Sequence, residues 1–181
     1  MVVDGVMEND SQIQNEEHEH MTGAKKVIDI EHHEIHEGHH YFLDGSKSFT
    51  NAEVFDFTVV TPNSSKWLHM VFQIEGTGGV ILEIKEGAAT DVAGTVVTPI
   101  NNDRNSSNTS DSVVRTGDTF TSEGTTLYTQ QTGANQKAGA ISRNREIILK
   151  QNTTYIFRLT NATALANQIT YAAEWYEEEF D

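Results

Sequence analysis

WLHMVFQIE (67–75) decides the fold: Leu68, Met70, Phe72 and Ile74 fall on one side of an extended chain, and Trp67, His69, Val71, Gln73 and Glu75 on the other. Side chains that alternate in this way describe a strand with one face buried. The pattern repeats on both sides of this stretch. VFDFTVV (54–60) puts Phe55, Phe57 and Val59 together, and GVILEIKE (79–86) aligns Val80, Leu82 and Ile84. TVVTPI (95–100), SVVRTGDTFT (112–121), TLYTQ (125–129), EIILK (146–150), TYIFRLTN (154–161) and QITYAAEWYE (168–177) follow. Each is short and rich in β-branched or aromatic residues, and the runs are separated by turn clusters such as TPNSS, EGTGG and KQNTT. After residue 45 no segment keeps an apolar period of 3.6. Eight or nine such strands predict an all-β, antiparallel β-sandwich, most simply a jelly roll, over residues 28–181.

Two connections are long. NNDRNSSNTSD (101–111) is entirely polar, and QQTGANQKAGAISRN (130–144) is rich in glycine and alanine. Loops of this length in a β domain serve as binding or subunit-contact elements. Residues 1–27 carry no stripe of either period and read as an extended polar arm, flexible alone or ordered by lying on a partner.

Composition narrows the function. The 181 residues hold 27 acidic and 12 basic side chains, a formal charge of −15, which disfavours a nucleic-acid partner. Protonating all eight histidines would bring the sum only to −7. Without cysteine the chain has no disulfide and no thiolate ligand. No apolar run approaches the roughly 20 residues of a membrane-spanning helix, and the first residues lack a signal-peptide pattern, so no membrane partner is expected.

Chemistry-bearing residues concentrate in EHHEIHEGHH (31–40). As a helix this stretch would align His32, His36 and His40, with His33 and Glu37 on a second face. Gly38 interrupts that helix, so short an isolated helix is marginal, and the H-E-x-x-H spacing of zinc proteases is not met. As a strand it spreads its histidines too far along the chain to share an ion. The preferred expectation is a polar segment leading into the first strand, with histidines in contacts within or between subunits. A bridging metal and a pH-responsive contact are the alternatives. Neither a bound metal nor a cofactor is expected.

Catalysis finds no partners. There is no G-x-S-x-G, and His69 is the one histidine beyond residue 40. The glycine-rich stretches lack a phosphate-loop setting, and DRNSSNTSD lacks the glycine and glutamate of a calcium loop. Glu177, Glu178, Glu179 and Asp181 read as a solvated terminal charge run. The Asn-x-Ser/Thr triplets at Asn63, Asn105, Asn108, Asn152 and Asn161 read as turn chemistry. Trp67, Tyr171, Trp175 and Tyr176 could build an aromatic platform for a sugar.

The C-terminal third carries a resemblance. Leu149-Lys150-x-Asn152-Thr153-x-Tyr155, then Arg158-Leu159-Thr160-Asn161, then Glu174-Trp175-Tyr176-Glu177 resemble the closing strands of small proteins encoded beside capsid genes in tailed bacteriophages. His33, His36, Gly38 and Tyr41 or Phe42 are similar to the histidine-glycine-aromatic start of the same proteins. The resemblance spans about residues 28–178. It implies a virion structural protein, a head decoration, cement or head-fibre-base module with a jelly-roll domain. Such a protein is made in the bacterial host cytoplasm, sits on the capsid surface as a homotrimer, and has the major capsid protein as its partner. No catalytic residue comes with it. Expected subunit- or capsid-contact residues are His32, His33, His36, Gly38, His40, Tyr41, Phe42, Trp67, Trp175 and Tyr176. The alternative is a glycan- or receptor-binding sandwich on the virion surface.

Overall fold

A computed structural model of the chain describes residues 29–133 and 138–179, with side chains throughout except at 143–145. The polar arm expected over 1–27 lies outside the described residues. One helix, α1 (Ile30–Glu37), precedes β1 (His40–Phe49), β2 (Val54–Val60), β3 (Lys66–Gly76) and β4 (Val80–Glu86). Short strands follow: β5 (Ala89–Val92), β6 (Thr95–Val97), β7 (Ile100–Asn101), β8 (Val113–Thr116) and β9 (Thr119–Ser122). The chain closes with β10 (Thr125–Thr132), β11 (Gly139–Leu149), β12 (Thr154–Asn161) and β13 (Asn167–Glu179).

Eight of these strands form an antiparallel sandwich. β1 pairs with β13, β2 with β12, β3 with β11 and β4 with β10, so the first strand of the eight meets the last, the second the seventh, and so inward. Further pairing of β13 with β3 and of β12 with β4 joins these couples into two sheets. One sheet runs β11-β3-β13-β1-β7 and the other β10-β4-β12-β2-β8-β6. This nested pairing is the double Greek key of a jelly roll.

The core lies between the sheets and comes from the alternation. Leu68, Met70, Phe72 and Ile74 of β3 are buried, as are Val80, Leu82 and Ile84 of β4 and Phe57 and Val59 of β2. Phe57 stacks on Phe157 with centroids 4.8 Å apart, and Phe72 meets Phe157 edge-on at 6.1 Å. Full burial of such a side chain contributes about 1.5–3 kcal/mol.

Residues 87–124 form an insertion between β4 and β10. β7 extends β1, β8 extends β2, β6 follows β8, and β5 pairs with β9 as a separate ribbon. Two predicted strands are split here. TVVTPI breaks where Pro99 can donate no ladder hydrogen bond. SVVRTGDTFT breaks at Gly117, whose φ of 78° turns the chain. In the other direction, much of the loop expected at 130–144 is strand, since β10 runs to Thr132 and β11 starts at Gly139.

Candidate functional site

The histidine-rich stretch does form a helix, against the preferred expectation. The Asp29 carboxylate accepts from Glu31 N at 3.1 Å, a side-chain cap on the first turn. Gly38 ends the helix at φ 73°, with its N–H on Ile35 O (3.1 Å) and His39 N on Glu34 O (2.9 Å). Alone, eight residues would not hold. The polar stretch 101–111 supplies the support: Asn108 Nδ2 donates to Glu37 O at 3.3 Å, and Asn101 Nδ2 to Gly38 O at 2.8 Å. A Cβ on Gly38 would collide with the Ser106 side chain.

Because α1 stops at Glu37, His40 leaves the expected helical face and begins β1. His32 and His36 remain one turn apart, exposed, with their Nε2 atoms 3.1 Å from one another. His33 turns to its neighbour, its Nδ1 3.1 Å from Glu34 Oε1, and this contact holds the imidazole above its ordinary pKa. His39 reaches the other oxygen of the same carboxylate at 3.4 Å. Glu34, 5% exposed, is thus a buried acid between two imidazoles.

Beneath the helix lies the outer face of the β1, β13 and β3 strands. The register sets Tyr176 opposite His40 on one side and His69 on the other. Tyr176 stacks on His69 with centroids 4.5 Å apart and lies 6.4 Å from the His40 ring. Its hydroxyl donates to Glu146 Oε2 at 2.9 Å and lies 3.1 Å from His69 Nδ1. Burial, followed by the Glu146 contact, pushes the phenol above its ordinary range. Burial also lowers the His40 pKa, against the raising effect of Glu31 and Glu174. Glu178 is raised by burial first and by Glu34 second, and its Oε2 is buried with no hydrogen-bond partner. A cleft of about 470 Å³ separates α1 from the end of β13, with His33, Glu34, His39, Lys66 and Glu178 among its walls. Imidazoles interleaved with carboxylates can hold protons or a cation, and here they also form the contact between helix and sheet.

The expected contact residues divide by burial. His32, His33, His36 and Trp67 are exposed, and Phe42 is half-buried. Gly38, His40, Tyr41, Trp175 and Tyr176 are buried within the protomer, so they act on a partner only through what they position. The four aromatics considered as a sugar platform do not share a surface. Trp175 and Tyr171 turn into the sandwich, Tyr176 lies under α1, and Trp67 alone stands out, 45% exposed. Trp67 borders an open groove of about 470 Å³ with Ile148, Leu149, Lys150 and Gln151.

Glu31, Glu34, Glu146 and Glu174 of the site were not foreseen, and Glu177 and Glu178 were misread. The Glu177–Glu179 and Asp181 run looked solvated, yet Glu177 is 2% exposed and Glu178 Oε2 is buried. Period-2 counting from Trp175 would have found it, since Trp175 and Glu177 point inward while Glu174, Tyr176 and Glu178 point outward. Loop 101–111 is likewise spent inside the protomer. Asn101 Oδ1 accepts from Asp103 N and Asp103 Oδ1 from Asn105 N, both at 2.9 Å.

Comparison of the chain with protein-family profiles, curated proteins and solved structures finds no match.

Proposed function

We propose that the chain is a virion structural protein that decorates or stabilises a bacteriophage capsid, binding the major capsid shell as a symmetric oligomer, a homotrimer. The observation that carries this reading is the margin built by residues 87–124. Four of the ten large apolar side chains exposed among the described residues, Val92, Val96, Ile100 and Val113, belong to this one insertion. It also ends one side of each sheet in a very short edge strand, β6 or β7, while β10 and β11 form the opposite edges. On that side, edges so short discourage open-ended strand addition, while exposed valines and isoleucine favour a side-chain contact that can close around an axis. The resemblance of the 146–177 motifs to phage head proteins supports the same reading. So do the acidic surface and a histidine-glutamate face spent on holding α1.

Light scattering on the purified protein tests it. The reading expects a mass three times that of the 20.1 kDa chain, together with co-sedimentation with mature capsids. A monomer that also fails to bind capsids overturns it.

A second reading, a glycan- or receptor-binding module, draws on the Trp67 groove. Glycan-array binding that Trp67→Ala abolishes would favour it over decoration alone.

A further inference from the structure

We propose that Glu31, His40 and Glu174 form a divalent-cation site that clips α1 to the outer face of the sheet. Their ligand atoms, one from each residue, all lie within 4.8 Å of one another. They come from three separate elements: the first turn of α1, the first residue of β1 and the middle of β13. One ion held by all three would therefore fasten the helix to the two strands under it.

The imidazole is the fixed member. His40 is 2% exposed, lies beside the Tyr176 ring, and has Nδ1 within 2.6 Å of Asn102 Nδ2. With Asn102 engaging Nδ1, Nε2 faces the carboxylates, 3.6 Å from Glu31 Oε1 and longer than a hydrogen bond. An outer partner on the far ring nitrogen is how proteins orient a ligating histidine; turned about, the Asn102 amide offers its carbonyl to an Nδ1–H. Glu31 and Glu174 are exposed, so their side chains can close the remaining gap to bond lengths of about 2.0–2.2 Å. The register supports this, because Glu174 sits opposite Phe42 on the outward face that His40 shares.

One nitrogen and two carboxylate oxygens select a borderline ion such as zinc or manganese over magnesium or calcium, which prefer all-oxygen shells. Three protein ligands on a solvent-facing site leave positions for water. The exposed His32–His36 pair offers only two ligands on one element, and an ion there would not fasten the helix to anything.

The test is calorimetric titration of untagged, chelator-dialysed full-length protein with zinc chloride and, separately, magnesium chloride. Hydrogen exchange of the 30–37 amides is followed in parallel. Expected is one saturable zinc site, weakened about tenfold or more by Glu31→Gln and by Glu174→Gln, and retained in the His32→Ala/His36→Ala double variant. Zinc should slow exchange in α1, and chelator should reverse the effect. No saturable zinc binding overturns the site. So does zinc binding lost in the double variant but kept in the two glutamine variants. Binding that leaves α1 exchange unchanged overturns the clip. Both glutamine substitutions fall on exposed side chains, so thermal unfolding in chelator should be unchanged, and a lowered Tm there would identify a folding defect. None of these outcomes depends on whether the protein is found on capsids.

Discussion

Trp175 Nε1 donates to Glu177 Oε1 at 3.2 Å on the inward face of β13, and the same carboxylate fixes the loop that supports α1. Ser110 Oγ (2.6 Å), Asp111 N (2.8 Å) and Ser112 N (3.2 Å) complete its shell of donors. A buried acid surrounded by four donors is a structural anchor, because each bond to a charged acceptor is stronger than a neutral one. Glu177→Gln puts an NH2 group where only acceptors fit. It should cost about 2–4 kcal/mol in urea unfolding; a loss below about 0.5 kcal/mol would refute the anchor.

Gly38 is the second support of the helix. Gly38→Ala forces a Cβ into left-handed backbone and against Ser106. It should cost about 2 kcal/mol or more, since the left-handed conformation alone costs about 1–2 kcal/mol. Faster exchange in α1 with the sandwich amides unchanged would place the damage there.

Glu178 points the other way. Its buried, unbonded Oε2 lies near Glu34, and burial and that neighbour raise its pKa. An acid raised in the fold loses stability as pH climbs from its unfolded value through its folded one. Glu178→Gln should therefore stabilise the protein at neutral pH by about 1 kcal/mol, or roughly 2–4 °C in Tm. The gain should shrink toward zero as pH falls below the ordinary carboxylate range.

Glu123 gives the opposite slope. Contacts with Arg158 and then Lys85 hold its carboxyl down to about 2, and Arg158 also grips Asp56 with bonds of 2.9 and 2.8 Å. A depressed carboxyl contributes stability that is present above the ordinary value of 4.5 and is lost as pH falls toward 2. The Tm gap between the native chain and Glu123→Gln should thus be open at pH 7 and close across that window. A gap independent of pH would contradict the assignment.

The insertion margin should control assembly without controlling the fold. Val96 is 62% exposed and Val113 is 40% exposed. Val96→Asp and Val113→Asp should each shift the proposed trimer toward monomer in light scattering, with Tm changes within about the range of ordinary surface substitutions. A trimer that persists in both variants would move the interface elsewhere.

The sandwich was legible because period-2 burial follows directly from the pleat: the inward positions of β2, β3, β4, β12 and β13 carry it, even though Thr58, His69, Lys85, Ile156 and Tyr176 are buried on the opposite face as well. The helix was not, because its one buried residue is Glu34. Hydrophobic periodicity cannot register a polar face that packs on another polar face. β1 shows the same limit: beyond Leu43 its next buried residue is Phe49, and polar residues fill the span between. Of the site, the histidine density was visible, but Glu174 and Glu178 join it only through the register of β13. Their position four apart in an acidic run gave no sign that a helix from the other end of the domain would cover them.

The central claim is that this chain is a component of a virion head. Quantitative mass spectrometry of gradient-purified tailed-phage particles, assembled in cells that express this chain, tests this most directly. The account predicts the chain in the particle at a fixed ratio to the major capsid protein, with a copy number divisible by three. Particles that contain the shell protein and lack this chain would contradict it.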